Sequence, residues 1–431
     1  MMREGQVVFA LAASAFVLAS GCRSKSTEPL ADPQDADVAV RQETDAAPSI
    51  APARCEAVTE FVALAAPEKS GDLSIGEALV TPSGFAIGIL RAAAKGRVAS
   101  IASVAIDFKS VTFADVIAAR GDDPPPRALF LGDQSFALAY EHAPKRQITL
   151  FRTAPGKSEP VQSFADATDD SQAFDVVTKN DAGLLAWDDD APGGVGVVKV
   201  ARLTASSAGA VTAISKEGSD AEGPRVALRP GGYWVAWIAR RAEPLPEGGA
   251  ERIEGAGENR AFEWLELAAL DGAGKRIGEV QRLTPQNGHL TSFDLIPSAD
   301  GIDLFARDDG EAKDGEGAKI ERITVHGDKS DLPVVVVKNG VGTGVPAASV
   351  SSIGGSLTAW LTYVDLADHT RLIPVQPGPN SPSLPSVEPA LEGGRVLLAT
   401  APQGPLREGS SLLLALPTDE KRQIVRVFCG R

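Results

Sequence analysis

The chain has 431 residues, with 42 Lys and Arg against 57 Asp and Glu, a formal charge of −15, 43% hydrophobic and 5% aromatic side chains. This composition is outside the low-hydrophobicity, high-charge regime of disordered chains, and the length accommodates one large core or two smaller ones. An acidic surface repels a phosphate backbone, so no nucleic-acid partner is expected.

The chain begins as an export signal does. After Arg3 comes an apolar run of 13 residues, Val7 to Ala19, too short to span a bilayer and the right size for the core of a signal peptide. It ends in Leu18-Ala19-Ser20-Gly21-Cys22. These small residues before a cysteine resemble the lipobox of bacterial lipoproteins, which implies cleavage after residue 21 and acylation of Cys22. Leu18 stands one place before the family's usual branched position, and an ordinary secretory signal is the alternative. Arg23 follows, not Asp, which by family behaviour implies the outer membrane of a diderm envelope. The expected membrane link is this N-terminal lipid alone.

From Arg23 to Arg54, Pro, Ala and Asp are frequent and no hydrophobic period is present, so the segment cannot bury enough apolar area to offset its ordering entropy. It is expected to be a flexible tether with a reach of about 30 Å. The domain boundaries are therefore 1–21, 22–54 and 55–431. With Cys22 acylated, Cys55 and Cys429 remain, one at each end of the expected globular body. In an exported chain they suggest one disulfide joining the ends; two free thiols are the alternative.

A ring of repeats brings chain ends together, and a pattern does recur: a short strand-like run, a turn rich in Gly, Asp or Pro, and a second apolar run holding a small residue. Its copies align on Gly88, Ala139, Ala186, Ala236, Ala306, Ala359 and Ala399, spaced 51, 47, 50, 70, 53 and 40 residues apart. A further apolar run follows most hairpins, which makes four strands per unit, the content of a propeller blade. The expected fold is all-β, a seven-bladed β-propeller behind a signal peptide and tether; a pair of β-sandwiches is the rival. The small residues are expected to relieve crowding between blades. The hairpins at Arg229-Pro230-Gly231-Gly232 and Pro297-Ser298-Ala299-Asp300-Gly301 resemble those of TolB-type, WD-like bacterial propellers. That resemblance implies architecture and no particular activity.

In such a propeller the connection from second to third strand leaves on the face opposite the hairpin turns. Two of these connections are long here, near 240–259 and 308–319, and a binding face built from such loops is expected. Tyr140, Trp187, Trp237 and Trp360 each follow an aligned small residue and are candidate ligand-stacking rings, with packing between blades as the other reading. Asp188-Asp189-Asp190 and Asp308-Asp309 with Glu311 and Asp314 lack the EF-hand spacing and read as solvated acidic loops. His142, His289, His326 and His369 form no metal motif, and no nucleophile elbow or phosphate loop is present. No cofactor, metal or catalytic residue is expected. The chain reads as a monomeric, lipid-anchored envelope module that binds or scaffolds a protein or glycan without catalysis. The alternative is a carbohydrate-active propeller enzyme using paired carboxylates, which needs only two carboxyl groups at a suitable separation.

Overall fold

The computed structural model describes residues 54–63, most of 73–375, and strands at 391–392, 410–416 and 423–430. The expected signal peptide, Cys22, nearly all of the tether and Ala399 lie outside the described residues.

The fold is a β-propeller. After β1 (Arg54–Ala63), blade 1 is β2 (Ser74–Thr81), β3 (Gly84–Ala93), β4 (Gly96–Ala105) and β5 (Val111–Ala119). Blade 2 is β6 (Arg127–Leu131), β7 (Gln134–Glu141), β8 (Gln147–Ala154) and β9 (Lys157–Phe164). Blade 3 is β10 (Phe174–Lys179), β11 (Ala182–Ala191), β12 (Val195–Thr204) and β13 (Thr212–Ala213). Blade 4 is β14 (Asp220–Arg229), β15 (Gly232–Ala242), β16 (Ala261–Asp271) and β17 (Arg276–Arg282). Blade 5 is β18 (Leu290–Pro297), β19 (Ile302–Asp308), β20 (Lys319–His326) and β21 (Lys329–Ser330), with β22 (Val334–Lys338) also paired to β20. Blade 6 is β23 (Ala347–Ile353), β24 (Ser356–Val364), β25 (His369–Val375) and β26 (Leu391–Glu392). A three-stranded sheet of β1, β28 (Gln423–Gly430) and β27 (Ser410–Leu416) holds both ends of the described chain.

The expectation of seven four-stranded blades is thus corrected to six. The stretch read as a seventh hairpin supplies β26, which pairs with β25 and completes blade 6. The remaining sheet joins β1 to β28, a pairing between opposite chain ends that no local hairpin signal encodes. In its register Cys55 stands opposite Cys429.

Six of the aligned small residues fall on the second strands: Gly88 on β3, Ala139 on β7, Ala186 on β11, Ala236 on β15, Ala306 on β19 and Ala359 on β24. These strands are the most buried, since blades cover both of their sheet faces; Val235, Ala236 and Trp237 are all at 0% exposure. The core is accordingly a series of layers between consecutive blades. Phe174, Leu185 and Trp187 pack with Phe136 and Leu150 between blades 2 and 3, and Trp234 and Leu265 pack with Phe293 and Leu304 between blades 4 and 5. At Gly88 crowding is absolute: a Cβ would stand 1.6 Å from the Pro126 carbonyl oxygen that leads into blade 2. The turn between β14 and β15 divides its needs between two glycines. Gly231 takes φ 76°, whereas at Gly232 a Cβ would meet the Leu270 carbonyl oxygen at 2.0 Å.

Candidate functional site

The six first strands converge on a cavity of about 430 Å³. Its wall includes Glu77, Arg127, Phe174, Arg225, Asp294 and Ala348, one residue from the first strand of each blade in turn. Ile238, toward the end of β15, also contributes, so the cavity lies toward the end where second strands run on toward third strands. The long connections after β15 and β19 leave from that same end.

Local pairing aims the charged side chains. The register of β2 with β3 shifts between Ile75 and Ala78, a bulge that holds Glu77, and bulges re-aim side chains. Asp175 pairs across to Ala186 and Arg225 to Ala236, while Asp294 follows Phe293, the partner of Ala306. The repeat that marks the second strands therefore also marks, by cross-strand register, where Asp175 and Arg225 stand, with Asp294 one residue past the same register. Sequence reading missed all five of Glu77, Arg127, Asp175, Arg225 and Asp294, although Asp175 and Arg225 stand directly opposite aligned alanines.

The charges form one connected set. The Glu77 carboxylate takes an ion pair from Arg127 Nη1 at one oxygen and from Arg225 Nη1 at the other. Arg127 Nη2 also lies 3.3 Å from Asp175 Oδ1. Asp175 Oδ2 accepts the Val226 amide of blade 4 at 2.9 Å, and Asp294 Oδ2 accepts the Ala348 amide of blade 6 at 2.8 Å. Both aspartates therefore tie one blade's first strand to the next. The packed cavity opposes ionisation of Glu77 although half of its side chain is exposed, yet the charges and hydrogen bonds of Arg127 and Arg225 outweigh this and hold the carboxyl at about 2. Burial pushes Asp294 up; Arg225 offsets only some of this and Glu77 adds repulsion, leaving it at about 6. Asp175 is raised by burial, against the attraction of Arg127.

Behind the wall lies a buried polar network. Asp188 accepts the amides of Ala173 at 2.9 Å and Gly223 at 3.0 Å, two wall residues from neighbouring blades. Asp123, next to wall residue Pro124, lies 2.7 Å from His142 Nε2 and 3.5 Å from Arg146 Nη2. Arg146 stacks on the Tyr140 ring at 4.0 Å and donates to the Ser171 carbonyl.

The four expected stacking rings stand elsewhere than on the cavity wall. Tyr140 is buried with its hydroxyl 2.7 Å from Ser171 Oγ, and Trp187 packs between blades 2 and 3. Trp237 donates its indole N–H to Glu266 at 3.1 Å, and Trp360 is at 0% exposure. For the acidic run Asp188-Asp189-Asp190 the expectation of a solvated loop is corrected. The run lies on β11, and Asp189 is buried against Lys199 Nζ at 2.6 Å. Among the described residues no group of three or more His, Cys, Asp or Glu is arranged to hold a metal ion.

No protein-family model matches the chain, and no curated protein does. Solved structures do. A polysaccharide lyase of family PL25, an ulvan lyase bound to a GlcA(1-4)Rha3S unit, superposes with a TM-score of 0.55 at 10% identity, over 86% of this chain and 95% of that one. The polysaccharide lyase Uly1 gives 0.48 at 10% identity, over 88% of this chain and 100% of that one. At this identity the likeness is one of fold.

Proposed function

We propose that the protein is a carbohydrate-active enzyme whose reaction takes place in the axial cavity. This is the reading the sequence held as its alternative to a non-catalytic module. One observation carries it: two carboxyls on one cavity wall, Glu77 and Asp294, are driven to opposite sides of the ordinary carboxylate range. A pair separated in this way is what acid–base chemistry on a glycosidic linkage requires. Asp294, near 6, exchanges the proton; Glu77 stays ionised and by repulsion keeps Asp294 high. The cavity has the volume of a small-ligand site. The polysaccharide lyase of family PL25 that shares the fold agrees with this choice of substrate class, although fold alone assigns no activity.

The test is incubation with a panel of neutral and uronate-containing glycans, following new reducing ends and unsaturated products. Glycan cleavage is expected, with a loss of about 100-fold or more in Asp294→Asn, assayed at a temperature where circular dichroism shows that variant folded. No cleavage of any glycan, or a wild-type rate in Asp294→Asn, overturns the proposal.

We also propose that the enzyme is held at the cell envelope, with Cys22 acylated and the tether between lipid and propeller. Metabolic labelling with a fatty acid that disappears in Cys22→Ala checks this. The facing positions of Cys55 and Cys429 support a disulfide between them, because directly opposed residues of an antiparallel pair lie within the Cα separation such a bond needs.

A further inference from the structure

The contact between Glu77 and its two arginines has an unusual shape. Glu77 comes from blade 1, Arg127 from blade 2 and Arg225 from blade 4, so the carboxylate reaches past the neighbouring blade to a first strand three blades on. The three side chains line one cavity. Their burial is unequal: the Glu77 side chain is 50% exposed, whereas Arg127 and Arg225 are 13% and 21% exposed. The cations thus belong to the wall, and the anion lies over them from the solvent side.

We propose that Glu77 is a removable bar across an anion site, and that Arg127 and Arg225 receive the carboxylate or sulfate group of an acidic ligand in its place. Exchange leaves the charge around the arginines unchanged, since one anion substitutes for another, so the wall is never left with an uncompensated pair of mostly buried cations. Arg127 keeps Asp175 throughout, at 3.3 Å. Guanidinium groups match the planar oxygens of carboxylate and sulfate, and two of them from different blades impose direction as well as charge. The bulge at Glu77 interrupts the ladder between Ile75 and Ala78, so its side chain is carried by the irregular portion of the strand. No atom of the ligand need change for this step, which is binding alone. This inference rests on the cavity being the functional site and adds the class of substrate: a glycan bearing acidic groups.

The test measures binding without turnover, so a failure to cleave glycans leaves it intact. Sodium sulfate and sodium D-glucuronate are titrated calorimetrically into the full chain, into Glu77→Gln and Glu77→Ala, and into Glu77→Gln combined with Arg225→Gln. Removing the charge of Glu77 is expected to tighten binding of at least one probe about 10-fold or more, and the added Arg225→Gln to abolish that gain. Glucuronate alone responding assigns the site to a sugar carboxylate; both responding assigns it to oxyanions generally. The proposal is overturned if neither probe binds the two Glu77 variants more tightly than wild type, or if the double variant binds as well as Glu77→Gln.

Discussion

Single residues in this molecule carry constraints that their type alone does not announce. Glu266 is buried and accepts two indole N–H groups, from Trp237 at 3.1 Å and Trp264 at 2.9 Å. Replacing it with Leu strands both donors inside blade 4, at a cost of about 1–3 kcal/mol for each. Glu266→Leu is therefore expected to lower the denaturant midpoint markedly, while Glu266→Gln, which retains one acceptor oxygen, loses roughly half as much. Gly88 is the opposite case, a position where only the absence of atoms matters. Gly88→Ala drives a methyl into the Pro126 carbonyl and is expected to cost about 1–3 kcal/mol or to prevent folding; a variant with wild-type stability would mean that blades 1 and 2 pack less closely.

At the scale of elements, blades are joined by apolar layers and by carboxylates that cross from one first strand to the next. Asp175 of blade 3 and Asp294 of blade 5 serve alike, each accepting one amide from its own strand and one from the next blade. Such a latch has a pH dependence whose sign follows from the shifts. Asp294, raised from 3.8 to about 6, contributes stability that is fully present below 3.8 and lost as the pH rises through 6. Glu77, lowered from 4.5 to about 2, contributes stability present above 4.5 and lost as the pH falls through 2. Stability is therefore expected to fall between about pH 4 and 6 for Asp294 and, separately, below pH 4.5 for Glu77. In Asp294→Asn the first of these slopes flattens even though the lost cross-blade acceptor lowers stability overall. Urea unfolding at several pH values resolves the two, and an unchanged slope in Asp294→Asn would remove Asp294 from this account. Asp188 latches Ala173 to Gly223, so Asp188→Asn, left with a single acceptor oxygen, is expected to release one wall segment and, on the proposed function, to weaken glycan binding more than it alters global stability.

For the whole molecule the decisive pairing is β1 with β28, which binds the two ends of the described chain into one sheet. If Cys55 and Cys429 are joined there, reduction removes about 2–4 kcal/mol, and non-reducing peptide mapping finds the two cysteines in a single cross-linked species. Free thiols at both positions would leave the closure to hydrogen bonds and packing alone.

How much of this was legible beforehand differs by scale. The spaced small residues located the second strands of all six blades, because a strand enclosed on both faces must be apolar and must shrink where a neighbour's backbone approaches, as Gly88 does against Pro126. The alternation of hairpin and turn likewise determined that the chain is all-β. What it could not settle was the number of blades, since that depends on β26 pairing back to β25 and on β1 reaching β28, and pairing of distant strands leaves no local mark. The cavity charges were equally hidden. Glu77, Arg127 and Arg225 are separated in sequence by 50 and 98 residues and become one ion-paired set only when the first strands of blades 1, 2 and 4 face a common axis. Sequence determined the repeating unit, because burial and turn chemistry act over a few residues. Tertiary structure alone decided the site, because electrostatic coupling acts through space between groups that the ring of blades brings together.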